Sequence, residues 1–104
     1  MIVTVTLNPT LDKTLSIPRL QPGTVHRAQI LREDLGGKGI NVSRALQALG
    51  IRSSLTGFMG GGTGQIMTSG LRVAGFDVHF VEVEGETRRN ITLLDEDSGQ
   101  YTKI

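Results

Sequence analysis

The chain has 104 residues and a mass of 11.2 kDa, with 38% hydrophobic residues, a mean hydropathy of −0.05 and a formal net charge of +1. That balance suits one small globular domain and gives little support to nucleic-acid binding; with no cysteine, it excludes a disulfide scaffold and a thiolate zinc site. No run approaches the roughly 20 apolar residues that span a bilayer, and Met1 to Leu7 lacks the basic start of a signal peptide, so the expectation is a cytoplasmic polypeptide without membrane contact.

Taken in chain order, Ile2 to Leu7 is rich in β-branched residues and stops at Asn8-Pro9, which predicts a strand closed by a turn. Its near-continuous apolar character suits a sheet covered on both faces. Asp12 follows the turn, where an aspartate reads either as a turn residue or as a ligand-binding carboxylate. Thr14–Ile17 and Arg27–Leu31 alternate apolar and polar residues around Pro18, Pro22 and Gly23, which predicts two half-exposed strands and a loop. His26 and Arg27 read as solvated.

Gly36-Gly37-Lys38-Gly39-Ile40-Asn41-Val42-Ser43-Arg44 leads into a helix. Val42, Ala45, Leu46 and Leu49 fall at i, i+3, i+4 and i+7, predicting the buried face, and Gly50 stands at the expected C-terminal cap. Glycines before a helix let backbone N–H groups approach an anion, which the helix dipole favours, and Lys38 adds positive charge. The stretch fits neither a P-loop, because Gly39 follows the lysine where Ser or Thr is needed, nor a dinucleotide fingerprint, because Val42 replaces the third glycine.

Ser53–Phe58 reads as a strand. Gly60-Gly61-Gly62-Thr63-Gly64 reads as a tight turn with Thr63 as helix cap in preference to a phosphate loop. The next helix carries Ile66, Gly70, Leu71 and Ala74 on one face, uses Met67 for packing and ends at Gly75. Val78–Val83 is a further strand. Arg88 and Arg89, which on their own read as solvated, open the strand Asn90–Leu94, and Asp95–Gly99 turns the chain into a return strand at Tyr101–Ile104. Strands alternating with helices predict a parallel sheet, with ligands beyond the carboxyl ends of its strands.

The glycine motif with its spacing to Gly50 and Gly60, the segment Asn8-Pro9-Thr10-Leu11-Asp12 and the segment Thr87-Arg88-Arg89-Asn90 together resemble the ribokinase-like carbohydrate kinases of the phosphofructokinase-B type. The Asn-Pro-x-Leu-Asp form and the lysine inside the glycine motif are most similar to the 1-phosphofructokinase and tagatose-6-phosphate kinase branch. The resemblance implies an α/β chain: the N-terminal part of a three-layer α/β/α fold with a parallel sheet, plus a small β-sheet lid. The core would lie at about 1–11 and 36–85 and the lid at about 12–35 and 86–104.

It further implies ATP-dependent, Mg²⁺-assisted phosphorylation of a ketohexose phosphate: fructose 1-phosphate, with tagatose 6-phosphate as the alternative. Asp12 would hold sugar hydroxyls, Gly36, Gly37 and Asn41 the sugar body, and Lys38 and Arg88 the substrate phosphate. The Gly-x-Gly-Asp motif that supplies the base in such kinases is absent. No catalytic residue is therefore assigned, and the chain is expected to be an inactive fragment of a longer kinase that dimerises through the lid. A non-catalytic sugar-phosphate-binding module and a lid-mediated interaction module are the rival readings.

Overall fold

The computed structural model describes all 104 residues. Its elements, in order, are β1 (Val3–Thr6), β2 (Thr10–Ile17), β3 (Gln29–Gly36), α1 (Lys38–Ala48), β4 (Ser54–Met59), α2 (Gly61–Val73), β5 (Asp77–Val78), β6 (Val81–Glu82), β7 (Arg88–Asp95) and β8 (Gln100–Lys103). They form two compact units, Met1–Leu11 with Leu35–Arg88, and Asp12–Asp34 with Arg89–Ile104.

The first unit is a parallel sheet in the order β1-β4-β5, with β6 also paired to β4. Val3 to Thr6 run in register with Ser54 to Gly57, and Phe58 and Met59 lie beside Val81 and Glu82. The strand expected over Val78–Val83 is thus two short pieces, both parallel to β4. Leu11, Ile40, Leu55, Met59, Met67, Leu71 and Val78 make one buried core, so α1 and α2 cover the same sheet face. On the other face Val3, Val5, Leu7 and Phe58 are exposed. The sequence suggested a β1 covered on both faces; these residues supply the sheet and one helical layer of the three-layer fold.

Both helices end in the same way. Gly50, at φ +76°, donates to the Gln47 carbonyl while Ile51 donates to that of Leu46; Gly75, at φ +89°, and Phe76 repeat the pattern on Arg72 and Leu71. These are Schellman ends, with glycine where the backbone must turn left-handed. The predicted face of α1 is a different matter. Val42 and Leu49 are 51% and 74% exposed, and the helix docks through Ile40 and Ser43, both fully buried. Polar docking won because the Ser43 hydroxyl bonds to Thr4 Oγ1 at 2.7 Å and Ser53 Oγ at 2.8 Å, which removes the penalty for burying it. In α2 the buried set is Thr63, Gly64, Met67 and Leu71, whereas Ile66 is half exposed.

The second unit is built on the sheet order β3-β2-β7-β8. Asp95↔Gln100 through Thr92↔Lys103 form the antiparallel hairpin expected from the polar turn. The Asp95 carboxylate accepts from Leu20, Asp97 and Ser98 N–H groups and so ties the turn to the loop after β2. Ser16 Oγ donates to the Glu96 carboxylate, Lys13 pairs with Glu33 at 3.3 Å, and Ile17 is buried. No helix is long and apolar enough to cross a membrane.

Candidate functional site

The glycine motif lies where β3 passes into α1. Gly36 ends the strand, Gly37 is the N-cap residue at φ 146°, and Lys38 is the first residue of the helix. Glycine is required at two points by contact with β1. A Cβ on Gly37 would stand 2.5 Å from Thr6 Cγ2, and one on Gly39 would stand 2.5 Å from Thr6 Oγ1 and 2.7 Å from the Val5 carbonyl oxygen. Thr6 Oγ1 also accepts the Ile40 N–H at 3.1 Å, fixing the first turn to the end of β1. The N-cap residue, a glycine, makes no side-chain bond and the turn holds no acidic residue, so no negative charge within it offsets the positive end of the helix. Lys38 and Asn41 are exposed beside it, and Asn41 Oδ1 accepts from Arg44 at 3.2 Å.

Arg88 opens β7 in the same unit and is exposed. Neither Lys38 nor Arg88 takes part in an ion pair. Two unneutralised cations on fixed backbone suit an anionic ligand, and the guanidinium can bind two oxygens of one phosphate.

Asp12 belongs to the second unit and lies within β2, not in a turn. Its Oδ1 accepts from the Asn90 side-chain amide at 3.0 Å. Asn90 is the residue that sequence reasoning missed. It stands in the Thr-Arg-x-Asn segment, but nothing in a linear pattern shows that it meets a carboxylate 78 positions away.

The second glycine run opens α2. The N-cap of α2 is Gly60, and Thr63 is a fully buried helical residue instead of the expected cap. Glu86 supplies the missing acceptor, taking the Thr63 N–H at 2.7 Å. No group of three or more His, Cys, Asp or Glu that could hold a metal ion is present.

A parallel α/β unit with a glycine-fronted helix, the exposed Lys38 and Arg88, and a second β-sheet unit fit the architecture of a carbohydrate kinase. Residues 5–104 match the model of the pfkB family carbohydrate kinases, and the chain belongs to that family. It is 41% identical over 102 residues to a 1-phosphofructokinase of Xanthomonas campestris pv. campestris, covering 98% of this chain and 32% of that one. Among solved structures it resembles a Staphylococcus aureus protein provisionally assigned as a phosphofructokinase, at TM-score 0.92 and 38% identity, covering 100% of this chain and 33% of that one. It also resembles Escherichia coli phosphofructokinase-2 in complex with fructose 6-phosphate, at TM-score 0.85 and 34% identity, covering 99% and 34%. The same E. coli protein has a structure described as a tetrameric inhibited form. The chain thus spans about a third of the length of the relatives it matches.

Proposed function

We propose that the protein carrying this chain transfers phosphate from ATP to fructose 1-phosphate, giving fructose 1,6-bisphosphate, and that these residues bind the sugar-phosphate acceptor. The observation that carries the reading is the exposure of Lys38 and Arg88, neither in an ion pair, at the first positions of α1 and β7. A neutral sugar needs no such pair, whereas a phosphosugar gives both a partner. The relationship to a 1-phosphofructokinase supports fructose 1-phosphate as the acceptor.

In this reading Lys38 and Arg88 bind the phosphate already on the sugar. The Gly36 and Gly37 amides and Asn41 hold the sugar body, and Asp12, oriented by Asn90, accepts hydrogen bonds from sugar hydroxyls. Phosphoryl transfer rests on positioning and on neutralising charge as it develops, and these residues supply positioning. ATP with magnesium would supply the phosphoryl group. No residue here is assigned as the base, so the chain alone is expected to be inactive, and its second unit provides the contact for a homodimer.

The test is a steady-state assay of the full-length protein with ATP and, in turn, fructose 1-phosphate, tagatose 6-phosphate, fructose 6-phosphate and fructose. The highest kcat/KM is expected for fructose 1-phosphate. Arg88→Ala should lower that value by roughly 10- to 100-fold, the weight of one or two charge-assisted hydrogen bonds. Equal or better kcat/KM with unphosphorylated fructose would overturn the reading.

A further inference from the structure

Why the chain carries Gly60-Gly61-Gly62-Thr63-Gly64 is not explained by the acceptor site. The contacts of that run are with residues 83–87. A Cβ on Gly60 would fall 2.0 Å from the Gly85 carbonyl oxygen and 2.7 Å from that of Val83; one on Gly61 would fall 1.7 Å from a Glu86 carboxylate oxygen. Gly64 packs against Met59 and Thr87 Oγ1, at 3.2 and 3.3 Å from its Cβ position. The run is a seat shaped for another stretch of the same chain.

Four hydrogen bonds close the seat. The Val83 N–H donates to the Met59 carbonyl at 2.9 Å, and the Thr87 N–H to the Gly60 carbonyl at 3.0 Å. Thr87 Oγ1 accepts the Gly60 N–H at 2.9 Å, and Glu86 accepts the Thr63 N–H at 2.7 Å. Thr87 is buried, so its own bond to the Gly60 N–H is little exposed to competition from water. The next residue is Arg88.

We propose that Glu86 and Thr87 are positioning residues that clamp the chain to the amino end of α2, so that Arg88 leaves the clamp from a fixed backbone point and meets the substrate phosphate in one orientation. This rests on the acceptor-phosphate role given to Arg88 above. An arginine side chain has large rotamer freedom to lose on binding. Fixing its Cα limits that loss, whereas a loose Cα spreads the guanidinium over positions that miss the phosphate. The carboxylate of Glu86 acts through the helix dipole and the orphan N–H groups of α2, where negative charge is favoured. Thr87 acts by satisfying Gly60 on both its N–H and C=O groups.

The experiment measures KM for fructose 1-phosphate, KM for ATP, kcat and Tm in the full-length protein and in Glu86→Ala, Glu86→Gln, Thr87→Val, Thr87→Ser and Arg88→Ala. Arg88→Ala is expected to raise KM for fructose 1-phosphate. Thr87→Val and Glu86→Ala are each expected to raise it about tenfold, the weight of one lost hydrogen bond, with KM for ATP changed less than about twofold. Thr87→Ser and Glu86→Gln keep an acceptor and should restore most of the affinity.

If Thr87→Val does not fold, the Glu86 pair decides alone. A rise with Arg88→Ala but none with the clamp variants overturns the clamp and leaves the function intact. No rise with Arg88→Ala overturns the phosphate role of Arg88, and the clamp with it. A fall in Tm and kcat with both KM values raised alike means a purely structural role, which also overturns the proposal.

Discussion

Single hydroxyls decide much of how α1 is seated. Ser43 is fully buried and its hydroxyl bonds to both Thr4 and Ser53. Ser43→Val should cost about 1–3 kcal/mol in a urea unfolding experiment, because it strands the buried Thr4 hydroxyl and the part-buried one of Ser53. The double variant Thr4→Val/Ser43→Ala should cost less than the sum of its single changes, since both partners of one bond leave together. Additive costs would show that the bond carries no coupling. Asn90 makes the parallel case in the other unit. Asn90→Ala leaves Asp12 without the amide that fixes it, and KM for the sugar phosphate should rise about threefold to tenfold. An unchanged KM would remove Asn90 from the site.

At the level of elements, close backbone approach matters more than apolar stripes. In an exposed helix Gly→Ala adds roughly 0.5–1 kcal/mol of stability. At Gly39 the sign should invert, because the added Cβ meets Thr6 Oγ1 and the Val5 carbonyl oxygen, and Tm of Gly39→Ala should fall. A rise in Tm would mean that α1 does not lie against β1 as described. The β7–β8 turn gives a pH prediction. The N–H of Leu20 and those of Ser98 and Asp97, with the charge of Arg19, hold the Asp95 carboxyl below the usual carboxylate range. A depressed folded pKa means that the ionised form stabilises the turn above about pH 4, and that this contribution is lost as pH falls through the lower folded value. Tyr101, the one tyrosine, pairs with Leu94 in that hairpin. Its fluorescence should therefore report an acid transition that Asp95→Asn flattens; an identical acid limb in the variant would refute the assignment.

These elements also show what a linear pattern can reveal. Strand and helix order, the Schellman glycines and the β7–β8 turn were legible because each is set by residues within a few positions. The docking face of α1 was not. A period of apolar residues marks the buried side only when apolar residues alone do the docking, and this helix docks through Ile40, the hydroxyl of Ser43 and the close approach of Gly39. Likewise the cap of α2 is Glu86, 23 positions beyond the N–H it accepts, and no local motif encodes that distance. The first run was legible as a glycine motif opening a helix, but the self-contact of the second was not, since both runs look alike as strings.

For the molecule as a whole, the uncovered side of the parallel sheet has a measurable effect. Val3, Val5, Leu7 and Phe58 present an apolar face, and contiguous patches of this kind favour association. The 104-residue chain should sediment as a concentration-dependent mixture, and Val5→Lys should shift it toward monomer. Insensitivity to that change would locate association elsewhere. The second unit, finally, is written in two separated segments, Asp12–Asp34 and Arg89–Ile104, and some of its bonds link residues 75 and 80 positions apart. Its first two strands leave the ribosome well before their partners; at typical elongation rates the gap lasts roughly three to ten seconds. Most of the α/β unit, Leu35–Arg88, lies between those segments in the sequence and can gather while they wait. Synthesis itself thus imposes an order of assembly, in which the second sheet closes only after the α/β unit has emerged.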